Sequence, residues 1–225
     1  MQYRCEATTV GGFVQQLAVG YISRGYRFFV TGSIPERKDP RELDEKLVKH
    51  YDLALSSAER SRRRAAGRAS VQYLRYDRFF VVTATHGKHR FFWPTDLGGE
   101  SRRDETGHEV RIRDFRHHAL RFEGYSIAHR GGRASVRIER EELKRQRAYL
   151  LELACSRRSE ALELAFRRLP FEPYAPVRGQ LIALLAKVNR KRREAGYSRV
   201  PITAVRLRRR IYRPFEPVGV GEEAA

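Results

Sequence analysis

The sequence predicts an α+β fold, in which a mostly antiparallel sheet is covered by helices and followed by a basic helical C-terminal part. Apolar residues alternate with polar ones at several places in the first 140 residues, and the period becomes helical from Glu141 onward. Of the 225 residues 41% are hydrophobic, including 12 Phe and 11 Tyr, so the chain can pack a core. We expect an α+β core domain over residues 1–169 and a Pro-rich strap, basic helix and tail over 170–225.

The first elements are predicted from the spacing of apolar residues. Phe13, Leu17, Ala18 and Tyr21 mark one face of a helix. Residues 26–31 are aromatic and β-branched and are followed by turn residues, which is typical of a buried strand.

Two helix starts carry N-terminal capping signals. Asp39 precedes Pro40, the residue type favoured in the first turn, so a helix is expected from this point. Ser56 and Glu59 have the spacing of a capping box before a run of arginines, and Gly67 suits a helix end. We therefore expect a short basic helix between them.

Two hairpins are predicted. Residues 71–76 and 79–85 are rich in β-branched and aromatic side chains and are separated by two turn residues. Residues 120–124 and 134–138 both alternate in polarity on either side of a glycine-containing turn, which indicates a second hairpin. Residues 94–117 are polar and weakly periodic, so we interpret them as a long excursion.

The rest of the chain is predicted to be helical with one interruption. A helical period starts at Glu141 and has a break near 156–159. Prolines in 170–176 predict an extended strap, and apolar residues in 177–188 predict a further helix. Residues 205–212 are expected to form a basic strand.

The charge balance points to a polyanionic partner. The chain has 46 Lys and Arg against 27 Asp and Glu, a formal net charge of +19. Such an excess repels itself in the compact state and is typical of nucleic-acid-binding proteins. The start of the chain resembles no signal segment, and no run of about 18 apolar residues occurs. We therefore expect a cytoplasmic location and no membrane partner.

Two basic regions form the candidate nucleic-acid-binding surface. In the first, Arg residues are interleaved with Tyr, a combination that suits unpaired bases and phosphates. The second is almost free of acids, so it suits phosphate contacts. We expect binding of RNA or single-stranded nucleic acid, in a ribonucleoprotein or mobile-element system and with other protein subunits as further partners. The candidate residues are Arg60, Arg62, Arg63, Arg64, Arg68, Tyr73, Arg75, Tyr76, Arg190, Lys191, Arg192, Arg193, Arg206, Arg208, Arg209 and Arg210.

Two alternative functions remain open from the sequence. His86, Lys88 and His89 lie in one turn and supply a general base, a general acid and a cation, as metal-independent RNA cleavage requires. The chain is then an endonuclease; otherwise it is a scaffold subunit of a nucleoprotein assembly. A metal site at the two histidines would need a third ligand such as Asp96, His117 or His118, so we expect no metal and no cofactor.

Overall fold

The computed structural model describes residues 3–86, 112–156 and 158–216 and confirms the α+β fold. Within these ranges there are six α-helices and seven strands in two antiparallel sheets. The helices are α1 Val10–Gln15, α2 Pro40–His50, α3 Ser57–Ala65, α4 Arg140–Leu153, α5 Glu160–Arg167 and α6 Ala175–Glu194. The strands are β1 Phe28–Ser33, β2 Val71–Tyr76, β3 Phe79–Ala84, β4 Arg113–Asp114, β5 Leu120–Phe122, β6 Tyr125–Arg130 and β7 Arg133–Ile138.

The chain divides into two compact units. The first is built from residues up to Ala119, from Ala128–Ala134 and from Tyr212 onward, and the second from Leu120–Ile127 and Ser135–Ile211. The boundary expected at residue 170 stays a prediction.

The sheet of the first unit has the strand order β2-β3-β1-β4. The predicted hairpin of β2 and β3 is present, with Tyr76 opposite Phe79 across a two-residue turn. Asp77 in this turn has a φ of 49°, the left-handed conformation that tight hairpins require. The part of the predicted excursion before Ile112 lies outside the described residues.

The predicted N-terminal helix is present, and its four apolar residues named above are all buried. It begins after Thr9, whose hydroxyl accepts a hydrogen bond from the Gly12 amide. A π-helical turn and a 3₁₀ turn follow α1, at Gln16–Tyr21 and Ile22–Arg24. Gly25 ends the run with a φ of 93°, which a residue without Cβ adopts at no steric cost.

Helix α2 covers one face of this sheet. It begins where the sequence predicts, because the Asp39 carboxylate accepts a hydrogen bond from the Arg41 amide at 2.9 Å. Its buried residues Leu43 and Leu47 belong to one hydrophobic cluster with strand residues such as Val30 and Phe80. Burial of this helix face is what fixes α2 on the sheet.

The N-terminal segment covers the outer edge of β2. The Ala7 amide donates to the Arg75 carbonyl at 2.7 Å, and the Arg75 amide donates to the Cys5 carbonyl at 2.8 Å. The Tyr3 hydroxyl accepts from the Tyr73 amide at 2.9 Å and donates to the Tyr73 carbonyl at 2.8 Å. The edge strand is therefore paired and does not offer its backbone to another chain.

The C-terminal segment of the first unit packs on α1. The Gln15 side chain accepts from the Tyr212 amide at 3.1 Å and donates to the Tyr212 carbonyl at 2.7 Å. A Cβ at Gly11 would lie 2.3 Å from the Tyr212 ring, so only glycine fits here. The glycine pair at residues 11 and 12 thus has a packing role.

The second sheet has the order β5-β6-β7 and corrects the predicted second hairpin. Two tight turns, at Glu123-Gly124 and Gly131-Gly132, divide this region into three strands instead of two. All four turn residues have positive φ, between 44° and 77°. Leu120 pairs with Ile127 across the first turn.

Helices α4, α5 and α6 lie in the second unit, as the helical period predicts. The break between α4 and α5 is present, and α6 ends before Gly196, which has a φ of 73°. The expected strand over 205–212 is wrong: a 3₁₀ turn at Ile202–Ala204 precedes an irregular segment. The reason is that the Arg210 amide donates to the Glu172 side chain rather than to a neighbouring strand.

Candidate nucleic-acid interface

Helix α3 is a basic helix that buries none of its side chains. Its capping box is formed as predicted, with the Ser56 amide donating to Glu59 Oε2 at 2.8 Å and the Glu59 amide donating to Ser56 Oγ at 3.2 Å. These hydrogen bonds, together with the nearby arginines, lower the pKa of Glu59. The helix therefore starts at a well-defined residue although nothing apolar holds it.

The predicted arginines in and after α3 divide into two groups. Arg60 donates to the Leu55 carbonyl, and Arg63 forms an ion pair with Asp52. The remaining three are exposed and have no carboxylate partner within the described ranges. They are Arg62, Arg64 and Arg68.

Tyr73 is not placed where a base could stack on it. Its side chain is fully buried, and its hydroxyl donates to Asp44 Oδ1 at 2.6 Å. Burial, and then the nearby Asp44 charge, raise the pKa of Tyr73. Tyr76, the other tyrosine singled out on β2, is half-buried.

The Arg75 side chain is also buried and bonded within the protein. Its side chain is 3% exposed and binds Asp44 through two parallel contacts, from Nε to Oδ1 and from Nη2 to Oδ2, both at 2.9 Å. Glu6 Oε2 lies 3.1 Å from the same guanidinium. Burial opposes the charge, but the hydrogen bonds and charge of Asp44 raise the pKa of Arg75 overall. A phosphate has no access to this group.

The basic end of α6 contains structural and exposed cations side by side. Arg192 is fully buried and donates to the carbonyls of Ser156 and Ser198, both at 2.6 Å. Lys191 donates to the Leu151 carbonyl at 3.0 Å. Arg190 and Arg193 are exposed and have no carboxylate partner in the described structure.

The segment 206–210, which we call the arginine strap, is held by Glu172. Arg206 Nη2 lies 3.0 Å from Glu172 Oε1, and the Arg210 amide donates to Glu172 Oε2 at 3.0 Å. Arg208 is exposed. Arg209 is exposed as well, with its guanidinium carbon 4.9 Å from the centre of the Tyr174 ring.

The histidine turn is described only at its first residue. His86 is exposed, and its Nδ1 lies 3.0 Å from the Thr85 hydroxyl. Lys88, His89 and Asp96 lie outside the described residues, so the nuclease hypothesis stays a prediction. In the described ranges no group of three His, Cys, Asp or Glu side chains is placed to hold a metal ion.

Two acids that were not among the predicted site residues, Asp44 and Glu172, bind arginines that were. These ion pairs determine which of the predicted arginines a ligand can reach. Asp44 had a signal in the sequence, because it precedes Leu47 by three residues and therefore lies beside the apolar stripe of α2. Glu172 lies between Phe171 and Pro173, two buried residues of the proline-rich segment 170–176. A buried acid in a basic chain is expected to bind a cation.

Comparison with models of protein families and with curated proteins gave no match. None of the described helices is long and apolar enough to cross a membrane. The functional argument therefore depends on the geometry and charge of the residues above.

Proposed function

We propose that this protein binds nucleic acid by contacting phosphates with exposed arginines. The observation that carries the proposal is α3, a helix that buries no side chain and yet presents arginines without a described carboxylate partner. Its one acid, Glu59, is bonded to the cap residue Ser56. Like charges at this spacing repel each other, and an anion bound from outside would relieve that repulsion.

Some cations on α4 and α5 are paired with acids of the same helix. Lys144 pairs with Glu141 at 2.9 Å, Arg145 pairs with Glu142, and Arg167 lies 3.5 Å from Glu163. The exposed arginines of α3 have no such pairing in the described structure.

The end of α6 has the same character. Arg190 and Arg193 are three residues apart, so they are neighbours on the helix surface and can approach one phosphate group together. The planar guanidinium group matches the oxygens of phosphate and of carboxylate in a bidentate geometry, so both arginines can bind a phosphate directly. With a net charge of +19, nucleic acid is the polyanion that best fits both surfaces.

The proposal includes a location in the cytoplasm. Cys5 and Cys155 are both free thiols, which fits a reducing compartment.

The salt dependence of affinity tests this proposal. Fluorescence anisotropy with labelled single-stranded and duplex RNA and DNA should show affinity falling steeply between about 50 and 200 mM salt. The variant Arg62→Ala/Arg64→Ala/Arg68→Ala should flatten the slope by roughly 0.7 to 0.9 for each phosphate contact that is lost.

The matched control removes the same number of charges from ion pairs. Lys144→Ala/Arg145→Ala/Arg167→Ala should leave the slope near that of the unmodified protein. Equal changes in both variants would mean that only net charge matters, and absence of binding to any of the four probes would overturn the proposal.

The α6 surface is tested by Arg190→Ala/Arg193→Ala alone. Lys191 and Arg192 are left in place because both donate to backbone carbonyls and their loss would unfold the region. An unchanged salt slope would remove α6 from the interface.

A further inference from the structure

Arg209 lies on a rigid platform in the second unit. Within this platform, the Glu172 amide donates to the Tyr125 hydroxyl at 2.7 Å, and that hydroxyl donates to the Pro170 carbonyl at 3.2 Å. The Tyr174 amide donates to the Glu172 carbonyl at 2.8 Å. Tyr174 is therefore fixed at the first turn of α6, with its ring half-buried.

The arginine strap is bonded to this platform on both sides of Arg209. Arg206 binds the buried Glu172 side chain and also donates to the Phe171 carbonyl at 3.2 Å. Arg210 is held through its amide, which donates to the second oxygen of the same carboxylate at 3.0 Å. The backbone that carries Arg209 thus has little freedom to move away from Tyr174.

The Arg209 guanidinium lies over the Tyr174 ring, with its central carbon 4.9 Å from the ring centre. Burial raises the pKa of Tyr174, while a hydrogen bond from Arg209 and its charge act in the opposite direction. Arg209 is exposed and no described carboxylate pairs with it, so solvent and ligands can reach its guanidinium.

We infer that the exposed guanidinium of Arg209 stacks an unpaired nucleobase. The inference rests on the proposed nucleic-acid binding and adds the class of ligand, a single-stranded segment. Guanidinium planes and aromatic rings are the surfaces on which splayed bases stack, whereas a duplex keeps both faces of its bases inside the helix. The neighbouring Arg208 is exposed as well and would supply a cation for a phosphate of the same strand.

The test separates the base from the phosphate. Arg209→Lys keeps the positive charge but removes the planar group. It should weaken binding of a single-stranded oligouridine by about fivefold or more, the ratio that corresponds to the low end of stacking energies. Binding of an abasic oligonucleotide of the same length, and of a duplex, should change less than twofold in the same variant.

Tyr174 supplies a second pair of variants. Tyr174→Leu removes the ring beneath Arg209 and should reproduce the selective loss for oligouridine, while Tyr174→Phe keeps the ring and should bind nearly as the unmodified protein. Thermal melting of all variants shows whether the fold is retained, and the ratio of oligouridine to abasic affinity does not depend on the folded fraction.

The outcomes distinguish this inference from the proposed function. If the unmodified protein binds none of the probes, the proposed function fails. If it binds them but Arg209→Lys loses oligouridine and abasic oligonucleotide equally, or loses neither, nucleic-acid binding stands and the stacking site is refuted.

Discussion

Strand β2 and the arginine strap both bring arginine and aromatic residues together, but they use them in opposite ways. On β2 the Tyr73 and Arg75 side chains both bind Asp44 inside the first unit and are shielded from solvent. In the second unit Glu172 binds Arg206 and the backbone of Arg210, and this leaves Arg209 exposed.

The two regions differ in which groups donate hydrogen bonds to the carboxylate, Asp44 in the first and Glu172 in the second. Asp44 binds the Tyr73 hydroxyl and two nitrogens of Arg75, and Arg75 Nη1 donates to Glu6 and to the Asp77 carbonyl, so both side chains are bonded within the protein. Glu172 binds the Arg206 side chain and the Arg210 amide, so it orders the segment on both sides of Arg209. A carboxylate can thus remove an arginine from a binding surface or hold a neighbouring one in place, and the two regions show both results.

The largest effect should follow from removal of the β2 carboxylate. Asp44→Ala leaves the Arg75 side chain charged and 3% exposed, with the Glu6 carboxylate and the Asp77 carbonyl as partners. Loss of one member of a buried ion pair costs about 3 to 5 kcal/mol. Urea denaturation should show a loss of about this size, while the salt dependence of nucleic-acid binding in the folded protein should be unchanged.

Asp52→Ala is the matched control, because its partner Arg63 is on the surface and both side chains are more than one third exposed. Here we expect a loss below about 1 kcal/mol. A similar loss in both variants would contradict the view that Arg75 is a structural group.

A smaller effect is expected at Glu172, the carboxylate that holds the arginine strap. Glu172→Gln keeps an acceptor for the Arg210 amide but removes the charge that faces Arg206, so the free energy of unfolding should fall by about 2 kcal/mol. Single-strand affinity should fall as well, since Arg209 would no longer be held over Tyr174. Chemical denaturation and anisotropy on the same sample would check both, and an unchanged affinity would show that the strap needs no anchor.

Tyr212, which follows the arginine strap, is held by close packing against Gly11 instead of by an ion pair. Gly11→Ala places a Cβ against the Tyr212 ring and should cost about 1 to 3 kcal/mol through overpacking. Gly179→Ala is the control: this glycine is exposed within α6 and has open space around it, so alanine should stabilise the helix by up to about 1 kcal/mol. Equal melting temperatures in the two variants would exclude the proposed contact.

Most of the fold could be predicted from the sequence because the relevant signals are local. The caps at Asp39 and Ser56, and the spacing of Phe13 and Leu17, depend on residues a few positions apart. The third strand of the second sheet was missed because the turn at residues 123 and 124 contains one glycine and one glutamate, a weaker turn signal than two glycines.

The candidate site was predicted less well because its contacts are long-range. Arg75 and Asp44 are 31 residues apart, and Arg206 and Glu172 are 34 apart, so no spacing rule links either pair. The run of arginines at α3 could be recognised because it contains a single acid, Glu59, but the sequence does not show that two of these arginines are bonded within the protein. Tyr73 was expected at a binding surface because the alternation of side chains along a strand does not show which face of the sheet is covered by a helix.

The last prediction tests the β2 network through Cys5, which lies beside Asp44. Burial, and then repulsion by the Asp44 charge, raise the pKa of the Cys5 thiol from 9.0 to about 12. Between these values the folded protein keeps a proton that the unfolded chain has lost, so Cys5 stabilises the fold fully below pH 9 and less as the pH rises. The free energy of unfolding should therefore decline by up to about 1.4 kcal/mol per pH unit above pH 9 on account of Cys5.

Cys5→Ala should make this alkaline decline shallower in urea titrations, although the raised pKa of Tyr73 preserves part of it. Cys155→Ala removes an exposed thiol instead and should keep the decline of the unmodified protein. Identical slopes in the Cys5→Ala variant and the unmodified protein would show that the thiol is not enclosed next to Asp44, and the description of β2 as a closed polar network would then be wrong.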